Sequence, residues 1–513
     1  MALNNSVLKF ALSFVLLFVG NLVGYSLKLD VCAVNLLVAI ACFLAFVKRD
    51  RVCLFMALGV AIFVALASIL GFGAKFYAVF VWCAFLIGSV LASKDSSKEY
   101  LSLMCILGAV FFNLNFISTT LFNWVQYDIL SCYNYIEYII DNNFMFWREN
   151  PLLSRPSYSA YHPILHFFIA GIGLKLAHVA SGDINVANEV VQVLFVFYMF
   201  AFYIFANRII EMFKFDKLVH LSVLGVVCFF PIFNAMAGYF NNDGLLLMLQ
   251  CASVYYALMY YRDGARKDLW LMVLSVVLAC LTKLSGVVVL PMIGVVLLVK
   301  LWQKREVSYL YELCIAGVVM LLGILIWPLY QHFMLGVGYN FVPPQEHLSL
   351  VGYSYWERFN PVKAIVYEQM FYNDFGVNLW ETMTKTAIYG QWNFELKARD
   401  VFVLVQIIDV CYKAILCLIM GGVLWLACKK QDIKFYFMCA LMLGVLGAHV
   451  IFGIMHPYMC NMDFRYVAIL IVPMAIVLGM IVERFSLLWR IVVASILGVF
   501  ALSGAIIWWW VVL

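Results

Sequence analysis

Charged residues are scarce in this sequence, and five short clusters combine ionisable with polar residues in ways that could do chemistry. They are Gln126, Tyr127, Asp128; Tyr161, His162, Pro163; Asn241, Asn242, Asp243, Gly244; Thr282, Lys283, Leu284, Ser285, Gly286; and Asp463, Phe464, Arg465, Tyr466. A carboxylate in a partly desolvated cleft gains basicity and can take a proton from a hydroxyl or amine. Asp128 is the leading base on that argument, and capping the following helical segment is the equally ordinary use of an aspartate at that place. Glu137, between Ile136 and Tyr138, reads as an interfacial surface residue. His162 before Pro163 marks a helix start, where a lone histidine more often makes a structural hydrogen bond than serves as a ligand. His162 and His166 have metal-like spacing on one helix face, but spacing fixes no third ligand and no metal is expected.

The other clusters suit an anion. Asn242 and Asp243 open an apolar helix whose amides and dipole would favour a phosphate, or they simply cap it. Lys283 interrupts two apolar runs and either snorkels to headgroups or pairs with an anion in a cleft, the close turn at Ser285 and Gly286 favouring the second. Arg465 is suited to bidentate phosphate contact, or it pairs with Asp463 while Tyr466 anchors at the interface.

Apolar runs must position these clusters. Of 513 residues 66% are hydrophobic and 12% charged, against about 25% charged in soluble domains, and this excludes a soluble fold. Runs near 8–28, 31–47, 52–71, 75–93, 100–121, 187–207, 218–237, 243–261, 268–284, 286–302, 309–330, 402–427, 434–455, 466–483 and 489–511 predict an all-α polytopic membrane protein with about 15 crossings. Basic residues in alternate gaps, beginning with Lys48, Arg49 and Arg51, put those gaps and the amino terminus at the cytoplasmic face. The polar stretches 123–162 and 331–401 then lie outside, with all the clusters. The run from Pro163 to Ala180 carries His166, Lys175 and His178 and reads as a juxtamembrane helix; a crossing there would invert every later loop.

The formal charge of +5 is too mild and scattered to suggest nucleic acid. Most of the 15 cysteines sit inside apolar runs as small hydrophobes, and only Cys132 and Cys460 fall in external loops. The first apolar run reads as an anchor rather than a cleaved leader. The cytoplasmic loops are short, without a glycine-rich phosphate loop or an Asp-x-Asp pair, so a nucleotide site is not expected.

In this order and on one face, the clusters resemble the membrane-embedded GT-C glycosyltransferases that use polyprenyl-phosphate sugars, a superfamily that includes protein O-mannosyltransferases and the lipid A aminoarabinose transferase. The resemblance runs from residue 100 to 480. Gln126, Tyr127 and Asp128 are similar to a Gln-His-Asp motif of bacterial members, with Tyr127 in the histidine's place. Tyr161, His162, Pro163 and Ile164 resemble Tyr-His-Pro-Pro, and Phe464, Arg465, Tyr466 resemble a late Phe-Arg-Tyr. The run Thr386 to Gln391 is similar to a Gly-Glu turn, Gln391 replacing the acid.

The resemblance implies a GT-C-like helical bundle with external juxtamembrane helices and an inverting transfer outside the membrane. Asp128 would be the catalytic base, Lys283, Arg465 and Asn242 would bind the donor phosphate, and Tyr127, Tyr161, His162, Asp243 and Gln391 would bind substrate. It implies a polyprenyl-phosphate sugar donor, a lipid, glycan or protein acceptor, and no obligatory metal or other cofactor. The expected organisation is four additional helices over 1–99, a seven-helix module over 100–330 with its external catalytic loop at 123–186, an external loop at 331–401 over the cleft, and C-terminal helices over 402–513. The expected location is a bacterial inner membrane, with the site facing the periplasm. A polyprenyl-linked sugar flippase is the rival from another class; it should carry midspan charges in two matching halves, whereas here the midspan pair Asp409 and Lys413 stands nearly alone. An oligosaccharide polymerase or ligase shares the lipid-linked substrates and differs only in motif order.

Overall fold

The computed structural model describes residues 97–119, 129–145, 158–336, 348–366, 376–390, 402–429 and 431–512, with scattered positions between 12 and 25. The regular elements among the described residues are helical, apart from a single β-bridge between Ser349 and Tyr458. Among the described residues eight helices are long and apolar enough to cross a membrane, or nine if one bent pair counts as a span. The protein is thus an all-α polytopic bundle, and from residue 100 onward each apolar run of the sequence has a helical counterpart. The four earlier runs, but for those scattered positions, lie outside the described residues.

The chain enters through α1 (Ser97–Thr119) and α2 (Ile129–Asp141). After a 3-10 turn at Tyr158–Tyr161 come α3 (Leu165–Ser181), α4 (Ile184–Val191) and α5 (Val193–Glu211). The next run is split into α6 (Lys217–Cys228) and α7 (Pro231–Gly238), bent by 44°. Pro231 explains the break, because proline is comfortable at a helix start but cannot donate within one. The hairpin α8 (Asp243–Asp263) and α9 (Arg266–Thr282) follows, then a 3-10 turn at Leu284–Val289, α10 (Leu290–Lys304) and α11 (Val307–Phe333). Beyond them lie α12 (Tyr355–Phe359), α13 (Leu379–Tyr389), α14 (Phe402–Ala427), α15 (Ile433–Met455), α16 (Ile471–Val482) and α17 (Leu487–Val512).

α3 packs along α4 and the first turns of α5. The His166 ring meets Phe195 and Tyr198 at 5.5 and 6.1 Å, and a Cβ on Gly173 would stand 3.4 Å from Val191. As α3 advances, its partners therefore step backward from α5 into α4. α3 and α4 form an antiparallel pair, α4 leading into α5 at the end away from Glu211.

Chain direction then sorts the helix ends into two groups. Arg208, Lys217, Arg262, Lys300, Lys434 and Arg490 share one end, tied together there by Lys98 Nζ donating to the Phe215 carbonyl at 2.9 Å, Lys434 Nζ to the Met212 carbonyl at 3.2 Å, and an Arg490–Asp216 ion pair. Just inside, His220 Nε2 lies 3.1 Å from Ser102 Oγ and 3.0 Å from Asn207 Oδ1, joining α1, α5 and α6 through buried polar groups. The starts of α8 and α16 and the ends of α9, α11 and α15 share the other end.

Between apolar helices in lipid, close packing rather than water exclusion supplies the attraction, and small residues allow it. Gly444 on α15 shows this: a Cβ there would stand 2.8 Å from Pro291 Cγ on α10. Gly286 plays a similar part where the chain turns between α9 and α10, since a Cβ would lie 2.7 Å from both the Ala279 carbonyl carbon and the Cys280 nitrogen. Backbone cannot rotate aside as a side chain can. Gly286→Ala should lower stability by about 1–3 kcal/mol in thermal unfolding of the detergent-solubilised protein. Gly294→Ala, where nothing stands within 4 Å, should leave the melting temperature level or raise it.

Candidate active site

α8 and α9 are an antiparallel hairpin, so the start of one lies beside the end of the other. That places Asp243, the first residue of α8, against Lys283, which caps α9 in an extended conformation with φ −160°. Lys283 Nζ reaches Asp243 Oδ1 at 2.6 Å. Asn242 does not cap α8 with its side chain; its Nδ2 donates to the Thr282 carbonyl at 3.0 Å and holds the Lys283 backbone in place. Asn241 fills the capping role instead, its Oδ1 accepting the Asp243 N–H at 3.0 Å while its Nδ2 donates to Asp243 Oδ2 at 2.9 Å.

The second cation comes from the far end of the chain. After α15 the backbone passes through 3-10 turns at Met459–Met462 and Phe464–Leu470. The Asp463 side chain accepts the Arg465 N–H at 2.9 Å, and its Oδ2 lies 3.5 Å from Arg465 Nε. Arg465 Nη1 is 3.7 Å from Asp243 Oδ2, so Asp243 stands between Lys283 and Arg465. The Phe464 N–H donates to Thr386 Oγ1 at 2.9 Å, docking α13 beneath this turn.

Two carboxylates and two cations, formally neutral together, are thus gathered in a nearly dry place. The side chains of Asp243 and Arg465 are 2% and 5% exposed, while Lys283 is 11% exposed and marks the more open side. Charges withdrawn from water this far persist only when paired, and a second anion arriving at Lys283 and Arg465 would meet donors already oriented. The arrangement can bind a phosphate and stabilise charge that grows on it.

The 3-10 turn carrying Tyr161 is fixed from α11, where Trp327 Nε1 and Gln331 Nε2 donate to the Tyr161 carbonyl at 3.1 and 2.8 Å. His162 follows and lies within electrostatic reach of Asp243. Because α3 begins only at Leu165, His162 and His166 do not share a helix face, contrary to what their spacing suggests. Among the described residues the structure therefore brings together Asn242, Asp243, Lys283 and Arg465, with His162 within electrostatic reach of Asp243 and Tyr161 adjacent to it in the chain. Tyr127, Asp128 and Gln391 lie outside the described residues.

Sequence reading gave no site role to two buried histidines beside this cluster. His166 is enclosed by Phe167, Phe195 and Tyr198; burial pushes its imidazole down to about 3, so it stays neutral near Asp243, with neither ring nitrogen hydrogen-bonded among the described residues. His449 on α15 lies with its ring 6.5 Å from that of Tyr466. Each is a lone histidine in an apolar helix, a pattern that carries no signal by itself. The midspan pair Asp409 and Lys413 does form, at 2.7 Å.

The segment around α12 is seated on the same end. Ser354 and Glu357 make a capping box at α12, and the Ser354 hydroxyl and N–H hold the Glu357 carboxyl below its ordinary range. Arg358 donates to the Gly453 carbonyl, and the Leu350 N–H donates to the Pro457 carbonyl at 2.7 Å.

Removing one member of a buried ion pair is more costly than removing both. Asp243→Asn should destabilise the protein by about 3 kcal/mol in thermal or denaturant unfolding, and Asp243→Asn combined with Lys283→Met should cost less than Asp243→Asn alone.

No curated protein matches the chain. Residues 188–337, which contain Asn242, Asp243 and Lys283, match the family model described as dolichyl-phosphate-mannose-protein mannosyltransferase, a family of the GT-C superfamily, and through that segment the chain is similar to GT-C membrane glycosyltransferases.

Proposed function

We propose that this protein is a membrane glycosyltransferase that moves a sugar, mannose in the first instance, from a polyprenyl phosphate to an acceptor outside the membrane. The observation that carries the reading is the meeting of Lys283 and Arg465, far apart in sequence, around Asp243 at one end of the bundle. The family match over 188–337 supports the donor class. The basic residues gathered at the opposite end support an external site, because positively charged loops favour the cytoplasmic face.

In this reading the donor's phosphate enters from the Lys283 side. Asp128 takes the proton of the acceptor hydroxyl or amine as that atom attacks the anomeric carbon, and the configuration there inverts. The bond to the phosphate oxygen breaks with its electron pair, and polyprenyl phosphate leaves. Lys283 and Arg465 stabilise the growing negative charge, each contact being worth a few kcal/mol of barrier, about 2–4 in comparable cases. A phosphate is a good leaving group, so the reading needs no separate general acid. Asn242 acts through the Lys283 backbone, and the segment around α12 and α13 is positioned to select the acceptor.

The decisive assay supplies radiolabelled polyprenyl-phosphate mannose, with peptide, glycan and lipid acceptors, to the full-length protein in nanodiscs. Asp128→Asn should lower kcat by about 10²- to 10⁴-fold, and Lys283→Met by about 10²- to 10³-fold. Turnover retained in Asp128→Asn removes that residue as base. In proteoliposomes, movement of the donor lipid across the bilayer without a new glycosidic bond would replace the enzyme reading with a flippase. Orientation has its own check in intact cells: a cysteine replacing Gly352 should react with an impermeant maleimide, and one replacing Lys304 only after permeabilisation.

A further inference from the structure

The ring of Tyr466 underlies both cations of the site. Lys283 Nζ stands 4.5 Å from its centroid and Arg465 Cζ 5.1 Å, both inside the range of about 6 Å over which an aromatic face attracts a cation. Arg465 Nη2 also donates to the Tyr466 hydroxyl at 3.3 Å. The ring is set by its own backbone, whose N–H donates to the Asp463 carbonyl at 3.3 Å, and His449 lies next to it. An aromatic anchor would instead turn its ring to the headgroups.

We propose that Tyr466 is a positioning residue, a neutral aromatic platform that presents Lys283 and Arg465 to the phosphate of a polyprenyl phosphate. The inference rests on the donor-phosphate reading above and adds a residue to it. The physical reason lies in what holds each cation. Asp243 pairs with both and cancels charge as it does so. The ring attracts through its quadrupole and cancels none, so two like charges are steadied near one another while keeping their pull on a third group. It also shields one side of the Lys283 ammonium from water, which lessens the hydration an arriving anion must displace.

The test is direct binding of radiolabelled polyprenyl phosphate, without sugar or acceptor, to the full-length protein in nanodiscs. Tyr466→Phe keeps the ring and should bind within about threefold of wild type, whereas Tyr466→Leu should bind about tenfold more weakly. Melting temperatures and size-exclusion profiles identify folded samples. A purely structural role is separated by a double-mutant cycle: on a Lys283→Met background, Tyr466→Leu should weaken binding by less than about threefold, since the ring would have lost its principal cation. Folded Tyr466→Leu that binds like wild type overturns the proposal, as do a Tyr466→Phe as weak as Tyr466→Leu and full additivity in the cycle. A wild-type protein that binds no polyprenyl phosphate overturns both this inference and the donor reading. Tyr466-dependent binding with no sugar transfer leaves the platform standing and removes the transferase.

Discussion

A carboxylate with almost no access to water must have cations beside it, and in this protein Asp243 has two. That requirement links three distant pieces of chain: the start of α8, the end of α9 and the turn before α16. Asp243 could not remain charged at the head of an apolar helix without Lys283 and Arg465, and two cations could not sit so near each other without Asp243. The neighbouring contacts serve the same grouping. Asn241 satisfies the carboxylate, Asn242 fixes the segment that carries Lys283, and Asp463 holds the Arg465 N–H and lies 3.5 Å from its guanidinium Nε.

The bundle makes this grouping possible by keeping most of its charge near helix ends, the Asp409–Lys413 pair apart. Apolar helices lying side by side present their polar breaks only at their ends, and alternation of direction brings every second break to the same end. The basic end is laced by contacts to the backbone between Met212 and Asp216 and by the buried His220 junction. The site end is built differently, from short 3-10 turns and extended residues whose backbone groups are satisfied by Trp327, Gln331, Thr386 and Asn242. Irregular backbone near a membrane persists only where protein covers it, and here that covering positions the ionisable groups.

The local chemistry divides into charged and neutral parts. Lys283 and Arg465 offer charge to an anion, while His166, neutral by burial, adds none despite its closeness to Asp243. The partial exposure of Lys283 against the closure of its partners gives the cluster a direction of approach. The segment docked through Leu350, Arg358 and Thr386 stands at the same end as the cluster.

Much of this was legible in one dimension. Hydrophobic composition and run length are enough to require membrane helices, because no backbone polar group can stay unpaired in hydrocarbon, and each run beyond residue 100 has its helix. Lys283 and Arg465 stood out because a cation amid apolar residues demands an anion. What could not be read was which carboxylate: Asp243 and Asp463 both offered themselves, and a capping role looked as good as any for either. The spacing of His162 and His166 suggested a shared face that the helix start at Leu165 removes. Tertiary structure chose Asp243 for both cations, set Asn242 on a backbone carbonyl and turned Tyr466 inward, since burial, direction and distance are properties of packed helices and not of residue order. Sequence determined that the chain must cross the membrane and gather most of its charges near helix ends; packing alone decided which of those charges meet.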